Sequence, residues 1–596
     1  MSTYSAPLKD MQFAIRELAG LHEVSALPGF GEVSAELVDA VLAQAAKFAQ
    51  EVLDPLNRIG DRQGAKLVGG RVIAPEGFAE AYRQFTAAGW NGLAGEPRHG
   101  GQGLPHIVAL PVQEMWCSAN LSFCLAPMLT SGVLEALRIH GSREQQERFM
   151  PRLTSGEWCG TMNLTEPQAG SDLSAVRTRA IREGDHYRIK GTKIFITWGE
   201  HEMAGNIVHL VLARTPDAPE GVKGISLFIV PKYITGPDGA PVERNEIKCV
   251  SIEHKLGIHA SPTCVLSYGD ERGAVGYLVG EENRGLEYMF TMMNHARLGV
   301  GLEGVALGER AYQHALEHAK TRVQGRELGQ KSGDRVTIIH HPDVRRMLMW
   351  MRAQTEAMRS LAYYAAAALD KARHHPDASG RRRNQALLDL LTPIVKGWCT
   401  EQGVEVASTG IQVHGGMGFV EETGAAQYLR DARITTIYEG TTGIQANDLI
   451  GRKVAFEKGV TALALIAEMR ALDAKLAARG NDFSAMRSDL GEALDGLDAA
   501  TRWVVDTYPK NAKAVAGVSV PYLKLFGTVA GGWLMARAAL IARERLGEPD
   551  ADRDFLEQKL ATARFYADHV LPHAVPLARE VLHGAESVLA LDPSRF

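Results

Sequence analysis

The sequence predicts a mostly helical α+β protein, in which one β-barrel-like domain interrupts a series of helical regions. The chain has 596 residues, too many for one hydrophobic core, so about three to four domains are expected. Strand patterns are confined to one segment, and helical periodicity dominates on both sides of it. Alternating strand and helix units are absent, which excludes a doubly wound parallel sheet.

The N-terminal region is predicted to form an arm over 1–35 and a helical domain over 36–156. A first helix is expected because apolar residues recur at intervals of three and four. These residues are Leu37, Val41, Ala45, Phe48 and Val52. We expect Pro55 to end this helix, because proline removes a backbone donor from the helical ladder.

One uncharged stretch in this domain is about as long as a membrane-spanning helix. It runs from Met115 to Leu134. Asn120, Pro127 and several hydroxyl residues interrupt it, which favours a buried helix–turn–helix in a protein core. No transmembrane segment is therefore predicted, and the N-terminus lacks the apolar run of a secretory signal.

The β domain is predicted over 157–284, and helical periodicity returns after it. The strand segments are rich in Ile, Val and Phe and are separated by Gly, Pro or Asp. They are HYRIKGTKIFIT, NIVHLVLAR, GISLFIVPK and TCVLSYGD. Long segments over 285–457, the third beginning near Arg383, predict a four-helix bundle packed against the β domain. A further helical extension is expected over 458–596.

Charge and cysteine content exclude several classes of function. The formal net charge is -5 and the isoelectric point is near 6.5, so no nucleic-acid or anionic-membrane surface is expected. The six cysteines lack the spacing of a zinc site, and no metal is expected. Scattered cysteines in a long chain are typical of buried thiols in a reducing compartment, which predicts a cytoplasmic protein.

A glycine motif in the bundle region has the form of a dinucleotide-binding loop. Gly299-Val-Gly301-Leu-Glu-Gly304 matches G-x-G-x-x-G. That mechanism needs a strand before the motif and a helix that starts at it. The preceding residues have helical periodicity instead. We expect the glycines to lie inside a helix, where the missing Cβ lets another helix or a ligand approach.

Three segments combine polar residues with glycine in a pattern that points to chemistry. They are Thr161-Met-Asn-Leu-Thr-Glu-Pro-Gln-Ala-Gly-Ser-Asp172, Lys193-Ile-Phe-Ile-Thr-Trp-Gly199 and Ile437-Tyr-Glu-Gly-Thr-Thr-Gly-Ile-Gln445. In this order and spacing they resemble the acyl-CoA dehydrogenase family over about residues 36–455. The arm and the extension resemble the large bacterial members, which include fatty-acyl-CoA and 3-(methylthio)propanoyl-CoA dehydrogenases. The resemblance implies FAD-dependent oxidation of an acyl-CoA thioester to trans-2-enoyl-CoA.

The first two segments are expected to hold the flavin. The resemblance implies that Leu164 and Thr165 line FAD and that Ser171 contacts the thioester end of the ligand. Alternation along a strand puts Phe195 and Thr197 on one face, where a ring and a hydroxyl suit a flat heterocycle. Many family members carry tryptophan where this chain has Phe195. Alone, each segment could equally be a capped turn or part of a core.

The third segment carries the candidate base. Dehydrogenation needs a carboxylate to take the α-proton while a hydride leaves the β-carbon for flavin N5. Glutamate is ionised at neutral pH, and burial by substrate strengthens it as a base. By resemblance Glu439 is this base, its N–H helps to stabilise the thioester oxygen, Gly440 lies beside the substrate, and Thr441 lies beside FAD. An acid at the start of the following helix is the non-catalytic alternative.

The resemblance extends to other residues of the helical bundle. Arg297 matches an arginine near the base, and Asn294 matches a residue that contacts the CoA moiety. Arg322 matches the arginine that reaches the FAD pyrophosphate of a partner subunit, a task that suits a guanidinium. The chain is thus expected to form a homodimer or higher homo-oligomer. The adenosine end of FAD, also across the subunit interface, is assigned to Gln412, Val413, His414, Gly415 and Gly416.

Several departures and alternatives remain open at the level of the sequence. Gln168, Gly325, Pro342 and Gly451 stand where the family usually has other residues, which puts individual FAD and CoA contacts in question. Electron-transfer flavoprotein is the expected electron acceptor, whereas an acyl-CoA oxidase of the same fold would use O2. A dehydrogenase specific for methylthiopropanoyl-CoA, a flavoenzyme that acts on a nitroalkane, and a scaffold without flavin are further alternatives.

Overall fold

The computed structural model describes residues 3–236 and 239–596, so the first two residues of the predicted arm and two residues of the predicted β domain lie outside the described residues. The chain forms two compact units. Unit 1 contains the N-terminal residues up to Ala46, Pro105–Glu114 and Val300–Phe596, and unit 2 contains Lys47–Leu104 and Met115–Gly299. The predicted fold class is confirmed: helices dominate, one region forms a large β-sheet, and helices fill the C-terminal extension.

The helices and strands of the described residues follow in chain order. The α-helices are α1 Leu8–Phe13, α2 Leu21–Ser25, α3 Ala35–Phe48, α4 Asp54–Gln63, α5 Phe78–Ala87, α6 His106–Ala119, α7 Leu121–His140, α8 Arg143–Ser155, α9 Gly285–Thr321, α10 Pro342–His374, α11 Ala378–His414, α12 Ala425–Arg433, α13 Thr442–Asp448, α14 Val460–Ala477, α15 Ser484–Thr507, α16 Ala512–Gly517, α17 Ser519–Arg545, α18 Arg553–His569, α19 Ala574–His583 and α20 Ala585–Val588. The strands are β1 Lys66–Val68, β2 Arg71–Ile73, β3 Trp158–Asn163, β4 Arg179–Glu183, β5 His186–Thr197, β6 Asn206–Ala213, β7 Ser226–Pro231, β8 Tyr233–Thr235, β9 Pro241–Arg244, β10 Ile247–Ile252, β11 Thr263–Tyr268 and β12 Ala274–Leu278.

The large sheet lies in unit 2. Its strand order is β10-β11-β5-β12-β7-β6-β3, and β4 pairs with the long strand β5 outside this path. The pair β3–β6 is parallel, and the other named pairs are antiparallel. Every residue of β6 and β7 is buried, so these two strands are covered on both faces. Their predominantly apolar sequences, NIVHLVLA and SLFIVP, follow from that position.

The uncharged stretch of unit 2 forms a buried helix–turn–helix, as predicted. It spans the end of α6 and the first part of α7, and the side chain of Asn120 between them accepts a hydrogen bond from the backbone N–H of Phe123. Helices α7 and α17 are long and apolar enough to cross a membrane. However, 78% of the most apolar segment of α7 and 89% of that of α17 are buried inside the protein. Burial of this kind is expected of core helices.

The first predicted helix differs from the structure in two respects. Pro55 does not end a helix, because a π-helical turn over 49–53 joins α3 to α4 and Pro55 lies in the first turn of α4. Proline is tolerated there since that N–H has no helical partner anyway. Ala45 of the predicted stripe is buried, but the stripe continues through Val38 and Leu42, one position later than predicted, while Leu37 is exposed. The two stripes are neighbours on one helix, and tertiary packing decides between them.

The expectation of six thiols is wrong for one pair of cysteines. Cys117 of α6 and Cys124 of α7 form a disulfide, with their Cα atoms 5.3 Å apart. The break between the two helices at Asn120 brings these cysteines together. The four other cysteines are buried thiols; they are Cys159, Cys249, Cys264 and Cys399.

The glycine motif lies inside α9, as predicted, and brings α9 against α11 in unit 1. A Cβ at Gly301 would lie 2.6 Å from the Val395 side chain, and one at Gly304 would lie 2.2 Å from the carbonyl oxygen of Cys399. Such distances leave no room for a side chain, so the two helices meet backbone to backbone. Helix α11 itself begins at Ala378, five residues before the predicted start near Arg383.

The N-terminal arm is fixed to the rest of unit 1 by buried charges. Arg359 of α10 is 1% exposed and donates to Asp10 of the arm and to Glu114 and Glu309. Lys559 of the C-terminal extension also contacts Asp10. Burial acts against ionisation of Asp10, but Lys559 and Arg359 bring its pKa down to about 2. The arm and the extension therefore belong to one packed structure.

Candidate active site

Glu439 lies in the turn between α12 and α13 of unit 1. The φ angle is +58° at Glu439 and +92° at Gly440, so two successive residues adopt left-handed conformations. For a residue with a side chain this costs on the order of 1–3 kcal/mol, and it persists only where the surroundings impose it. A Cβ at Gly440 would lie 2.7 Å from Nε2 of Gln445, which explains the glycine.

Two fully buried side chains hold this turn by its carbonyl oxygens. Lys396 Nζ donates to the carbonyl oxygen of Gly440 at 2.6 Å. Gln445 Nε2 donates to the carbonyl oxygens of Glu439 at 3.1 Å and Gly440 at 3.3 Å. Because these bonds fix the backbone, they also fix the direction in which the Glu439 side chain leaves the turn.

The residue before Glu439 is anchored to α9. The hydroxyl of Tyr438 donates a hydrogen bond to the carboxyl group of Glu303, which is fully buried. Burial raises the pKa of Glu303 to about 8; Tyr438 and Lys396 oppose this rise, and the charge of Glu439 reinforces it. At neutral pH, therefore, a neutral carboxylic acid lies near the candidate base.

Thr441 caps the helix that follows. Its hydroxyl accepts a hydrogen bond from the backbone N–H of Ile444 at 3.3 Å, and α13 begins at the next residue. Thr441 thus performs the usual N-cap role. The N-cap of this helix is therefore Thr441 and not Glu439.

The first two motif segments come together in unit 2. The backbone N–H of Ile194 donates to the carbonyl oxygen of Thr165 at 2.9 Å, and Lys193 Nζ donates to that of Leu164 at 2.9 Å. Lys193 also forms a buried ion pair with Glu166 at 2.8 Å. Burial acts against ionisation, but Lys193 and neighbouring donors lower the pKa of Glu166 to about 2. The pair holds Leu164 and Thr165 beside strand β5.

Phe195 presents an uncovered ring next to these residues. Its side chain is 58% exposed, and its φ angle of +60° marks an irregularity that interrupts the alternation of β5. Thr197 is half-buried and pairs with Thr263 across the strands. An aromatic ring left open beside Thr165 offers a flat apolar face that a ring system would cover.

The other candidates of unit 2 lie on a loop and on α9. Ser171 is exposed, and a Cβ at the preceding Gly170 would have no atom within 4 Å, so this loop is open. Arg297 is buried, and its Nη1 donates to Oδ1 of Asn294 at 3.3 Å. Asn294 and Arg297 therefore lie together on one side of α9.

The candidates for the adenosine end of FAD lie at the C-terminal end of α11. The rings of His318 and His414 stack 4.4 Å apart. Burial, then His414 and then Arg322 lower the pKa of His318, so the exposed Arg322 belongs to the same neighbourhood. Gln412 lies sixteen residues beyond Lys396, or about 24 Å along the helix. This neighbourhood is distinct from the Glu439 turn, and it also contains Val413, Gly415 and Gly416.

Lys396 and Glu303, which hold the Glu439 turn, lie outside the three sequence motifs. Lys193 and Glu166, which hold the Thr165 loop, lie within the first two motifs, but the sequence did not identify them as a pair. One signal was present for the two residues outside the motifs: each is a lone charge within an apolar helical segment, LLTPIVKGWC for Lys396 and GVGLEGVALG for Glu303. A buried charge of this kind needs a partner, but the sequence does not name it.

Comparison with known families assigns the chain to a class of enzyme. Three sequence families described as the N-terminal, middle and C-terminal domains of acyl-CoA dehydrogenase match residues 36–157, 161–270 and 283–454. A fourth, "Acetyl-CoA dehydrogenase C-terminal like", matches 464–592. With the fold and the site, these matches define an FAD-dependent oxidoreductase. The chain belongs to the acyl-CoA dehydrogenase family.

Three relatives show how far this similarity extends. The chain is 49% identical to 3-methylmercaptopropionyl-CoA dehydrogenase of Ruegeria pomeroyi over 96% of both chains. It is 34% identical to the broad-specificity linear acyl-CoA dehydrogenase FadE5 of Mycobacterium tuberculosis, over 100% of both chains. An acyl-CoA dehydrogenase from Bacillus anthracis, solved in complex with FAD, shares the fold, with a TM-score of 0.75 at 20% identity over 94% of this chain and 91% of that one.

The residues of this chain fit FAD. The exposed ring of Phe195 and the half-buried hydroxyl of Thr197 suit the flavin ring system. Added Cβ atoms at Gly415 and Gly416 would meet nothing within 4 Å, so that loop has room for a ligand. Among the described residues no group of three or more His, Cys, Asp or Glu is suited to hold a metal ion.

Proposed function

We propose that this enzyme dehydrogenates 3-(methylthio)propanoyl-CoA, or an acyl-CoA of closely similar length, with Glu439 as the base that removes the α-proton. The observation that carries the substrate assignment is the 49% identity, over 96% of both chains, to a relative named for that substrate. The alternative is a broader preference for linear acyl chains, as in the relative that is 34% identical.

The geometry of the Glu439 turn supports the role of base. A carboxylate suits proton abstraction next to a thioester, and its backbone is held by Lys396 and Gln445. Gly440 lets the backbone adopt the left-handed conformation that this turn requires. Negative charge develops on the thioester oxygen as the proton is removed. We assign part of its stabilisation to the backbone N–H of Glu439. When bound, FAD accepts the hydride that leaves the β-carbon.

The flavin ring is assigned to the candidates of unit 2 that surround the open Phe195 ring. Thr165 and Thr197 supply hydroxyl groups for its polar edge. Thr441 is assigned to FAD. Ser171, Asn294, Arg297 and Gly440 are assigned to the acyl-CoA.

The other candidates of unit 1 are assigned to the FAD of a second subunit. Gln412 is about 24 Å along α11 from Lys396, which holds the Glu439 turn, and this separation supports two different FAD molecules as the ligands of the two regions. Gel filtration with light scattering is expected to give a homodimer or a larger homo-oligomer; a monomer that retains FAD would contradict this assignment. We also infer a cytoplasmic enzyme that passes its electrons to electron-transfer flavoprotein.

The substrate assignment is tested by kcat/KM for a series of acyl-CoA thioesters with an artificial electron acceptor. Pentanoyl-CoA is the matched control, because it replaces the sulfur of 3-(methylthio)propanoyl-CoA by a methylene. We expect at least about a tenfold preference for the sulfur compound, the discrimination that one such group can give in a fitted pocket. Similar kcat/KM values for linear acyl-CoA thioesters from pentanoyl-CoA to octanoyl-CoA and longer chains would establish the broad alternative. O2 as the faster acceptor would identify an oxidase.

A further inference from the structure

We propose that Glu303 is a positioning residue for the base. Through its hydrogen bond with Tyr438 it holds the turn that carries Glu439. Because Glu303 keeps its proton, only one of the two carboxyl groups, that of Glu439, is negatively charged. This inference rests on the proposed role of Glu439. Glu303 belongs to none of the three motifs, and it is the single charged residue of the segment GVGLEGVALG in α9.

Close helix packing places Glu303 at this position. Gly301 and Gly304 on either side of it let α9 contact α11 at Val395 and Cys399. Lys396 lies between these two contact points, and its Nζ holds the carbonyl oxygen of Gly440. Two elements of the helical core thus support the Glu439 turn at adjacent points: α11 holds the residue after the base, and Glu303 on α9 holds the residue before it through Tyr438.

A structural role alone gives a poor account of Glu303. Its side chain is completely buried, and within the described residues its Oε1 atom has no hydrogen-bond partner. A buried carboxyl group with an unsatisfied oxygen destabilises the fold compared with an apolar residue of similar size. An unsatisfied polar group in a native protein calls for an explanation, and a functional requirement is one.

Burial is the main reason that Glu303 stays neutral, and the groups around it act in both directions. The hydrogen bond from Tyr438 and the charge of Lys396 on α11 favour its ionised form, whereas the charge of Glu439 opposes it. Asp431 of α12 adds a further negative charge near Tyr438. Because burial dominates, the pKa of Glu303 is raised to about 8. Glu303 therefore keeps its proton while Glu439 acts.

The consequence is a dependence of the base on the ionisation of Glu303. When Glu303 loses its proton, a second negative charge appears near Glu439 and favours the protonated form of the base. A stronger base abstracts a proton faster as long as it stays ionised. We therefore expect kcat to rise about two- to tenfold as the pH increases through about 8. The ionisation of Glu303 causes this rise.

The test compares pH profiles of kcat for the FAD-loaded wild type and Glu303→Gln. The amide keeps the size and the acceptor for Tyr438 but cannot ionise, so the step near pH 8 is expected to disappear while kcat at pH 7 stays within about threefold. Glu317→Gln, an exposed residue of the same helix, is the matched control and should keep the step. A step that persists in Glu303→Gln would overturn the inference.

Two further measurements separate positioning from folding and from the role of Glu439. Infrared difference spectra between pH 7 and 9 should show the loss of a protonated carboxyl band in the wild type but not in Glu303→Gln; the same band change in both proteins contradicts the inference. Tyr438→Phe should lower kcat about tenfold with KM within twofold, and an unchanged kcat contradicts the inference.

The variant Glu439→Gln distinguishes failure of the inference from failure of the proposed function. If Glu439→Gln turns over, the proposed function fails. If Glu439→Gln is inactive but the step persists in Glu303→Gln, only the role of Glu303 fails.

Discussion

Lys396 donates a 2.6 Å hydrogen bond to the carbonyl oxygen of Gly440, the residue that follows the candidate base. The lysine is completely buried in the middle of α11, so a helix of the core sets the position of the catalytic turn. Gly440 has a φ angle of +92°, and without this donor the turn loses one of the contacts that hold it in a left-handed conformation.

Lys396→Met is expected to lower kcat by about tenfold, because a hydrogen bond from a charged group contributes about 1.5–3 kcal/mol to positioning. KM for acyl-CoA should change less than threefold. Steady-state kinetics at saturating FAD measures both parameters, and Lys453→Met, whose side chain is 3.9 Å from Asp389, is the control. Equal kcat values for Lys396→Met and the control would show that this contact does not position the turn.

The Lys193–Glu166 pair predicts a stability effect in unit 2. Lys193→Met leaves a buried carboxylate without its cation and should lower the free energy of unfolding by about 3–5 kcal/mol. The double variant Lys193→Met/Glu166→Gln should recover most of this loss. Urea unfolding at pH 7 provides the values. A double variant no more stable than Lys193→Met would show that the effect is lost packing rather than an uncompensated charge.

The same pair predicts a pH dependence. Because the folded protein lowers the pKa of Glu166 from 4.5 to about 2, its ionisation stabilises the fold fully above pH 4.5, and this contribution is lost as the pH falls towards 2. Glu166→Gln should therefore lose less stability than the wild type between pH 5 and 3. Parallel curves for the two proteins over this range would contradict the assigned pKa.

The contact between α9 and α11 predicts opposite effects of two glycine substitutions. Gly304→Ala places a Cβ 2.2 Å from the carbonyl oxygen of Cys399 and should destabilise the protein by about 1–3 kcal/mol. Gly491→Ala, in the middle of α15 with no atom within 4 Å, should stabilise it by about 0.5–1 kcal/mol. Thermal unfolding compares the two. A neutral Gly304→Ala would mean that α9 and α11 can move apart.

Arg322 predicts an effect on the cofactor rather than on the chemistry. Arg322→Ala should increase the fraction of FAD lost on dilution about tenfold, because the bidentate contact that we propose to the pyrophosphate would be lost. The ratio of flavin absorbance to protein after gel filtration measures this loss. Exposed Arg382 of α11 provides the control substitution. Retention of FAD equal to that of the control would remove Arg322 from the cofactor site.

Much of the fold and the local features of the site followed from the sequence because they depend on short-range patterns. The helical period around Gly301 and Gly304 excluded a phosphate loop, and both glycines lie inside α9. The strand segment around Phe195 forms β5. Such features require only neighbouring residues, whose periodicity is visible in the chain.

Features that depend on tertiary contact did not follow from the sequence. Tyr438 and Glu303 are 135 residues apart, and no local pattern pairs them. The buried stripe of α3 was misplaced by one position because two adjacent stripes were both apolar. The Cys117–Cys124 disulfide depends on the break between two helices at Asn120. In each case packing decides among arrangements that the sequence allows equally.

The central claim, that Glu439 removes the α-proton, is tested most directly by the rate of flavin reduction when the anaerobic FAD-loaded enzyme is mixed with acyl-CoA in a stopped-flow instrument. Glu439→Gln keeps the size of the side chain and removes the base, so acyl-CoA should still bind with an affinity within about threefold of the wild type. The rate constant for bleaching of the flavin absorbance should fall by about a thousandfold or more, within the range that general-base catalysis contributes. A Glu439→Gln variant that bleaches within tenfold of the wild-type rate would contradict the account and place the base elsewhere.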